Sequence, residues 1–533
     1  MLRPIPILIV TVWIASMAIL VQRSYGESSG NLATDLARYG SNAQWRGVYY
    51  RGEKIGFTVS QTIPAKDEEG AFELQEDGQL QMSLLGSHTI TMLRTTARVS
   101  RTFELQSFVF SLDPGTGPIT VAGEVRDLTL NLSITSNGRS RTETMELAER
   151  PMLALNLVRR LADRGLTPGA RHEWKVFDPA TLRNSSVTVT VGEREVVRAS
   201  GMPLPAFRVE MEFAGLRTTS WITDTGEMVR EESPLGFISV RETAETARAL
   251  AVSGRIRQDL LEAAAVVPVM TPRLPPIADP RDVRRLRMRV EGADLSRADL
   301  DGAGQHVENG IVEIQDALAI DASSARENLE PYLAPEPFIE SDDEEVRAAA
   351  AEAVRGVKGA RAQAEALTRY VNATVQKKPT VSLPSAREVL RTKIGDCNEH
   401  TALFVAMARA VQIPSRIAVG LAFVRGAFYY HAWPEVYLDE GNGRGRWLPV
   451  DPTFNQFPAD ATHFRLVRGG LDRQAAILPL IGRLKITMLD IEVRPGSTPT
   501  LVGQPVAGAS PIALPTQSNA RRWCLPCFLG GHE

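Results

Sequence analysis

Cys397, His431 and Asp451 are the residues whose types and order could do acyl-transfer chemistry in this chain of 533 residues. Cys397 lies in Gly395-Asp396-Cys397-Asn398-Glu399-His400 and is the only cysteine before Cys524 and Cys527 near the end. It therefore has no disulfide partner within its own domain. Asp396 followed three residues later by Glu399 has the spacing of a capping box, which sets Cys397 in the first turn of a helix. The unpaired N–H groups of that turn favour a thiolate, the form of sulfur that attacks carbonyl carbon. Imidazole takes the thiol proton and later protonates the leaving group, while a carboxylate holds the ring in the useful tautomer.

The elements around these residues are legible. After Cys397, the residues Leu403, Phe404, Met407, Ala408 and Val411 recur at helical spacing, until Gln412-Ile413-Pro414 ends the helix. His431 lies in Ala427-Phe428-Tyr429-Tyr430-His431-Ala432-Trp433-Pro434-Glu435-Val436, a run of strong β propensity. Period two puts Tyr429, His431, Trp433 and Glu435 on one face. Pro434 has no N–H for a ladder and predicts an edge or bulge there. A Gly-rich turn at 441–445 leads to a second strand, Arg446 to Asp451, whose pairing would bring Asp451 beside His431.

The pattern resembles the transglutaminase-like superfamily of papain-like thiol enzymes. The resemblance rests on Gly395-x-Cys397 opening a helix, Arg409-Ala410-x-x-Ile413-Pro414-x-Arg416, His431-Ala432-Trp433-x-Glu435-Val436 and Trp447-x-x-Val450-Asp451-Pro452-Thr453. It implies a nucleophile at Cys397, a general base at His431 and an orienting carboxylate at Asp451, within about residues 340–490. The superfamily includes proteases, amidases and cross-linking acyltransferases, so the acceptor of the acyl group stays open. A peptide or protein amide, cell-wall fragments among them, is the expected substrate. Hydrolysis is favoured because no amine-binding feature is visible. No cofactor site is expected, and no calcium loop is present. A zinc site from Cys397, His400 and His431 is the metal alternative, but the Asp451 strand suits a triad better. His400 itself reads as a residue that packs the helix.

The expected fold class is α+β, an antiparallel β-rich, half-barrel-like N-terminal domain followed by a papain-like α+β domain. Short alternating segments from Trp45 to Val240 give the first, interrupted by a helix from Met152 to Ala162. The expected divisions are 1–24, 40–245, a Pro-rich linker at 266–280, a small β-rich segment at 281–335, the thiol domain at 340–495 and a Pro/Gly/Ser-rich tail at 496–533 that composition predicts to be disordered. His88 and His172 in the β-rich region stand alone and read as structural.

Pro4 to Val21 is an uncharged run of 18 residues. Such a run is just long enough to cross a bilayer, and no clear cleavage site follows it, so an uncleaved anchor is expected over a signal peptide. This places the soluble domains outside the membrane, in the periplasm or beyond the cell. With 60 basic against 63 acidic residues and no basic run, nucleic acid is not an expected partner. A different class of function is a non-catalytic envelope binding or assembly protein that uses the thiol fold as a scaffold. The terminal C-x-x-C offers two ligands where structural zinc needs four.

Overall fold

Residues 39–494 are described in a computed structural model, apart from short internal stretches of which 250–258 and 321–327 are the longest. The apolar segment Pro4 to Val21 and the tail from 496 lie outside the described residues. Among the described residues no helix is long and apolar enough to cross a membrane.

Fourteen strands between Gln44 and Glu242 form one antiparallel sheet. Alternation drives it: Thr129–Ser136 buries Leu130, Leu132 and Ile134 while Asn131 faces out. Gln44–Tyr50 sits in the middle, paired with Glu53–Pro64 on one side and Phe237–Glu242 on the other. Hairpins run outward to Arg139–Glu146 at one edge and Arg171–Asp178 at the other. The turn between the first two strands is only Arg51-Gly52. Both have positive φ, 47° and 85°, as a two-residue hairpin whose twist matches the strands requires.

The helix Ala154–Asp163 links the two edges and lies inside the curl of the sheet. Its Leu157, Val158 and Leu161 are buried against Trp174, Val176 and Val187. Buried Asn156 pins its start: the side-chain oxygen accepts from the Leu153 N–H at 2.7 Å, and the amide donates to the Phe103 carbonyl at 2.7 Å. Both polar ends of that side chain are thereby satisfied.

The rest of the chain is α+β. The helix Glu344–Ala353 is capped by Asp343, whose carboxylate accepts from the Glu345 and Val346 N–H groups, and Ala360–Thr374 follows. The helix Cys397–Ala410 buries nearly its whole length, with Leu403, Phe404 and Met407 inaccessible to solvent. It packs on both preceding helices, on Ala386–Thr392 and on the strand Ala427–Gly441. That strand lies between Arg444–Pro449 and Ser415–Val424 in a four-stranded antiparallel sheet, with His463–Arg468 beyond Ser415–Val424. A second sheet orders Val269–Met270, Lys485–Val493, Val283–Glu291, Ile311–Gln315 and Gln305–Glu308. It joins a strand that precedes the helices to one that follows the four-stranded sheet.

The two halves touch through buried groups. Ser136 donates to Glu388 at 2.9 Å, and Phe338 and Leu383 enter the apolar cluster of the large sheet. Gly420 is the tightest point of the four-stranded sheet. It lies opposite His431 on one side and Arg465 on the other, and an added Cβ would stand 2.0 Å from the Phe464 carbonyl oxygen. Backbone cannot swing aside as a side chain can. Gly420→Ala is expected to lower stability by about 1–3 kcal/mol by forcing the His463 strand outward, measurable as a drop in melting temperature.

Candidate active site

Cys397 is the first residue of its helix and half-buried. Asp396 accepts from the Asn398 N–H at 2.9 Å, and Glu399 reaches back to the Asp396 N–H at 2.8 Å, so the expected capping box is present. Gly395 permits this closure, because a Cβ there would lie 2.2 Å from the Glu399 Cβ. The cap has an electrostatic cost. Burial pushes the Cys397 thiol well above its usual range, Asp396, Glu399 and Asp451 add to the shift, and a hydrogen bond from the Ala432 N–H opposes it. The helix start therefore does not leave a resting thiolate; the thiol needs a base.

His431 and Asp451 meet as the strand reading expects. His431 Nε2 lies 2.8 Å from Asp451 Oδ2, and both residues are buried. The strand Arg444–Pro449 stops short of the expected end. Asp451 instead follows it in a turn closed by paired backbone bonds with Gln456, 2.9 Å and 2.8 Å long. Its Oδ1 accepts from the Phe454 N–H at 2.9 Å, and the Phe454 ring stacks on His431 at 4.6 Å and 12°. With Nε2 engaged, Nδ1 is the ring nitrogen left for exchange with a thiol. Cys397 and His431 are brought to one place by the helix packing on the His431 strand and by the Ala432 N–H reaching the sulfur.

A second imidazole, absent from the sequence reading, completes the cluster. His463 Nε2 lies 3.1 Å from the same Asp451 oxygen, and its Nδ1 faces Asp460, 3.1 Å from the carbonyl and 3.2 Å from the carboxylate. Burial works against charge on His463, but Asp460 and Asp451 outweigh it and raise its pKa to about 10. Asp460 shifts the other way, to about 2, as His463 overcomes the effect of burial. Burial likewise pushes Asp451 up, yet His431 and then His463 hold its carboxyl far below the usual range. At neutral pH the set is a charged His463 between two carboxylates, with His431 on the other side of Asp451.

Three further placements matter. Tyr430 stays a neutral phenol, because burial and the charges of Cys397 and Asp396 raise its pKa. Glu435, on the His431 face as expected, is buried among Arg416 at 2.8 Å, Arg465 at 3.0 Å and Arg468 at 3.1 Å. Burial would raise its pKa, but the three guanidiniums lower it to about 2, so it locks adjacent strands with a permanent charge. His400 is fully buried, and its Nδ1 donates to the Asp396 carbonyl at 2.6 Å. Burial lowers its pKa, which fits a neutral ring packing the helix.

For the zinc alternative, His400 Nδ1 and His431 Nε2 are committed to oxygen partners, whereas His400 Nε2 is buried with no partner among the described residues. His431, Asp451 and His463 offer three donor atoms within 4.8 Å of one another. Both imidazole nitrogens stand at hydrogen-bond distance from one carboxylate oxygen. A cleft of about 390 Å³ opens beside this cluster, with Lys377, Phe423, Phe454, Asp460 and His463 in its walls.

The charge on His463 makes stability depend on pH. A folded pKa near 10 against an ordinary 6.5 means its stabilisation is complete below pH 6.5 and is lost as pH rises through 10. The stability gap between wild type and His463→Gln, measured by denaturant unfolding, is expected to shrink steadily over that range. A gap independent of pH would contradict a charged His463.

Residues 347–452 match the family model of the transglutaminase-like superfamily. No curated protein matches the chain. Among solved structures it is similar to a candidate cysteine protease from Cytophaga hutchinsonii, at 16% identity over 40% of this chain and 86% of that one, with a TM-score of 0.26. It is also similar to a β-barrel-like protein of a domain of unknown function from Brucella abortus, at 12% identity over 38% of this chain and 95% of that one, with a TM-score of 0.30. A third likeness is to a candidate protease from Parabacteroides distasonis, at 10% identity over 63% and 64% of the two chains, with a TM-score of 0.19. These likenesses are too distant to assign an activity. The family match spans Cys397, His431 and Asp451, and residues 347–452 are a transglutaminase-like superfamily domain.

Proposed function

We propose that this chain is an exported, membrane-anchored thiol enzyme that cleaves a peptide-type amide through an acyl thioester on Cys397. The observation that carries the reading is the buried hydrogen bond of 2.8 Å between His431 and Asp451, on the strand against which the Cys397 helix packs. That pairing supports Nδ1 as the imidazole nitrogen that exchanges the proton.

In the proposed reaction His431 Nδ1 takes the thiol proton as sulfur attacks the carbonyl carbon. The tetrahedral intermediate collapses, the C–N bond breaks, and the amine leaves with the proton from His431. Water then loses a proton to the same nitrogen, adds to the thioester, and releases the acid with the thiol restored. Asp451 keeps its negative charge throughout and stabilises the imidazolium. An amine in place of water would make the same steps a cross-linking transfer. Anchoring and export rest on the uncharged run from Pro4 to Val21 alone.

The test is labelling of the full chain with a thiol-reactive acyl probe, followed by turnover of peptide amides drawn from the cell envelope. Cys397→Ala should remove the labelling that wild type shows beyond that of Cys524 and Cys527, and Asp451→Asn should lower turnover by about 10²–10⁴-fold. Equal labelling of wild type and Cys397→Ala would overturn the enzyme reading. A Cys397→Ser strain with an intact phenotype would favour the non-catalytic envelope role instead. Protease accessibility of the soluble domains in intact spheroplasts checks the export reading.

A further inference from the structure

A cavity of about 580 Å³ lies between the curled N-terminal sheet and the helix Ala154–Asp163. Its volume is that of an ordinary small-molecule site. Leu155, Val158, Val176, Val187, Met211 and Phe213 make one wall apolar. Gln44, Arg46, Glu76 and Glu231 add polar groups to the lining.

Those polar groups are not equally occupied. Arg46 is committed, donating to Glu76 at 2.5 Å and to Thr58 at 3.2 Å. Gln44 is only 7% exposed, and its Nε2 has no partner among the described residues. Ser220, paired with Glu231 on the neighbouring strand and set behind the lining, has a buried hydroxyl without a partner among the described residues. Burial raises the Glu231 pKa against the pull of Arg46, so that carboxyl tends toward its neutral, donating form. Each buried orphan of this kind costs about 1–3 kcal/mol. Orphans facing a roomy space are groups that a ligand's polar end can satisfy.

We propose that this cavity binds a single-chain amphiphile, with its acyl chain along the apolar wall and its carbonyl or carboxyl head accepting from Gln44 beside Glu231. A peptide suits the space less well. Every strand that lines it is hydrogen-bonded on both sides except the edge strand Arg171–Asp178. Each peptide unit would bring a donor and an acceptor with few partners to meet, whereas an acyl chain brings polar atoms at one end only.

The probe is dansyl-labelled undecanoic acid, titrated into the purified full chain and followed by fluorescence. Saturable binding in the micromolar range is expected. Ala154 is exposed to the cavity at the first helical position, so Ala154→Trp adds bulk there without disturbing the core. That change should weaken binding at least ~10-fold, and Gln44→Leu about 10-fold. Leu155→Trp replaces Ala154→Trp should the latter change the melting temperature. Oleate and lysophosphatidylcholine, as competitors, separate a free fatty acid from an esterified chain, and displacement by either supports the site. Absence of saturable binding, binding that both tryptophan variants leave unchanged, or displacement by an apolar pentapeptide and by neither lipid would overturn it. Cys397→Ala should bind the probe like wild type, which keeps this result separate from the thiol chemistry.

Discussion

The candidate site depends on one buried negative charge. Asp451 is inaccessible to solvent and receives three donors, His431 Nε2, His463 Nε2 and the Phe454 N–H. A carboxylate in such a place is tolerated only when it is paired and hydrogen-bonded, and losing a donor exposes the cost of burying it. The requirement reaches outward. The His431 strand, the His463 strand and the turn after Pro449 must all hold their positions within a few tenths of an ångström. Gly420, pressed against the Phe464 carbonyl, and Glu435, gripped by three arginines, fix that spacing from either side of the sheet.

The same charge settles the division of labour between two histidines. His463 sits between two carboxylates and keeps its proton, whereas His431 has a single carboxylate partner and a phenyl ring on one face. His463 shares the Asp451 oxygen that His431 uses, so one carboxylate positions both rings. The capping carboxylates of Asp396 and Glu399 hold the helix start in place but oppose a thiolate, which makes proton transfer to His431 part of the proposed chemistry and not a preliminary to it.

Much of this was legible in the sequence, for a physical reason in each case. Capping spacing located Cys397 because caps are local, and period-two alternation placed His431 and Glu435 on one face because strand geometry is local. His463 was not legible. Its role comes from a strand on the far side of Ser415–Val424 meeting a turn that begins twelve residues earlier. Alternation gives the face of a strand but not its neighbour. The pairing of Lys485–Val493 with Val283–Glu291 escaped for the same reason. The direction of the Cys397 shift escaped because burial, which sequence does not give, outweighs the favourable helix end. The antiparallel character of the large sheet was evident, whereas its interior cavity required the curl that sets Gln44 opposite Val187.

The central claim is that His431, held by Asp451, activates Cys397. The most direct measurement is the rate of iodoacetamide alkylation of Cys397 at neutral pH in wild type, His431→Ala and Asp451→Asn, read by mass spectrometry of the Cys397 peptide. The account predicts fast alkylation in wild type and rates at least ~10-fold slower in both variants. Equal rates in all three proteins would contradict it.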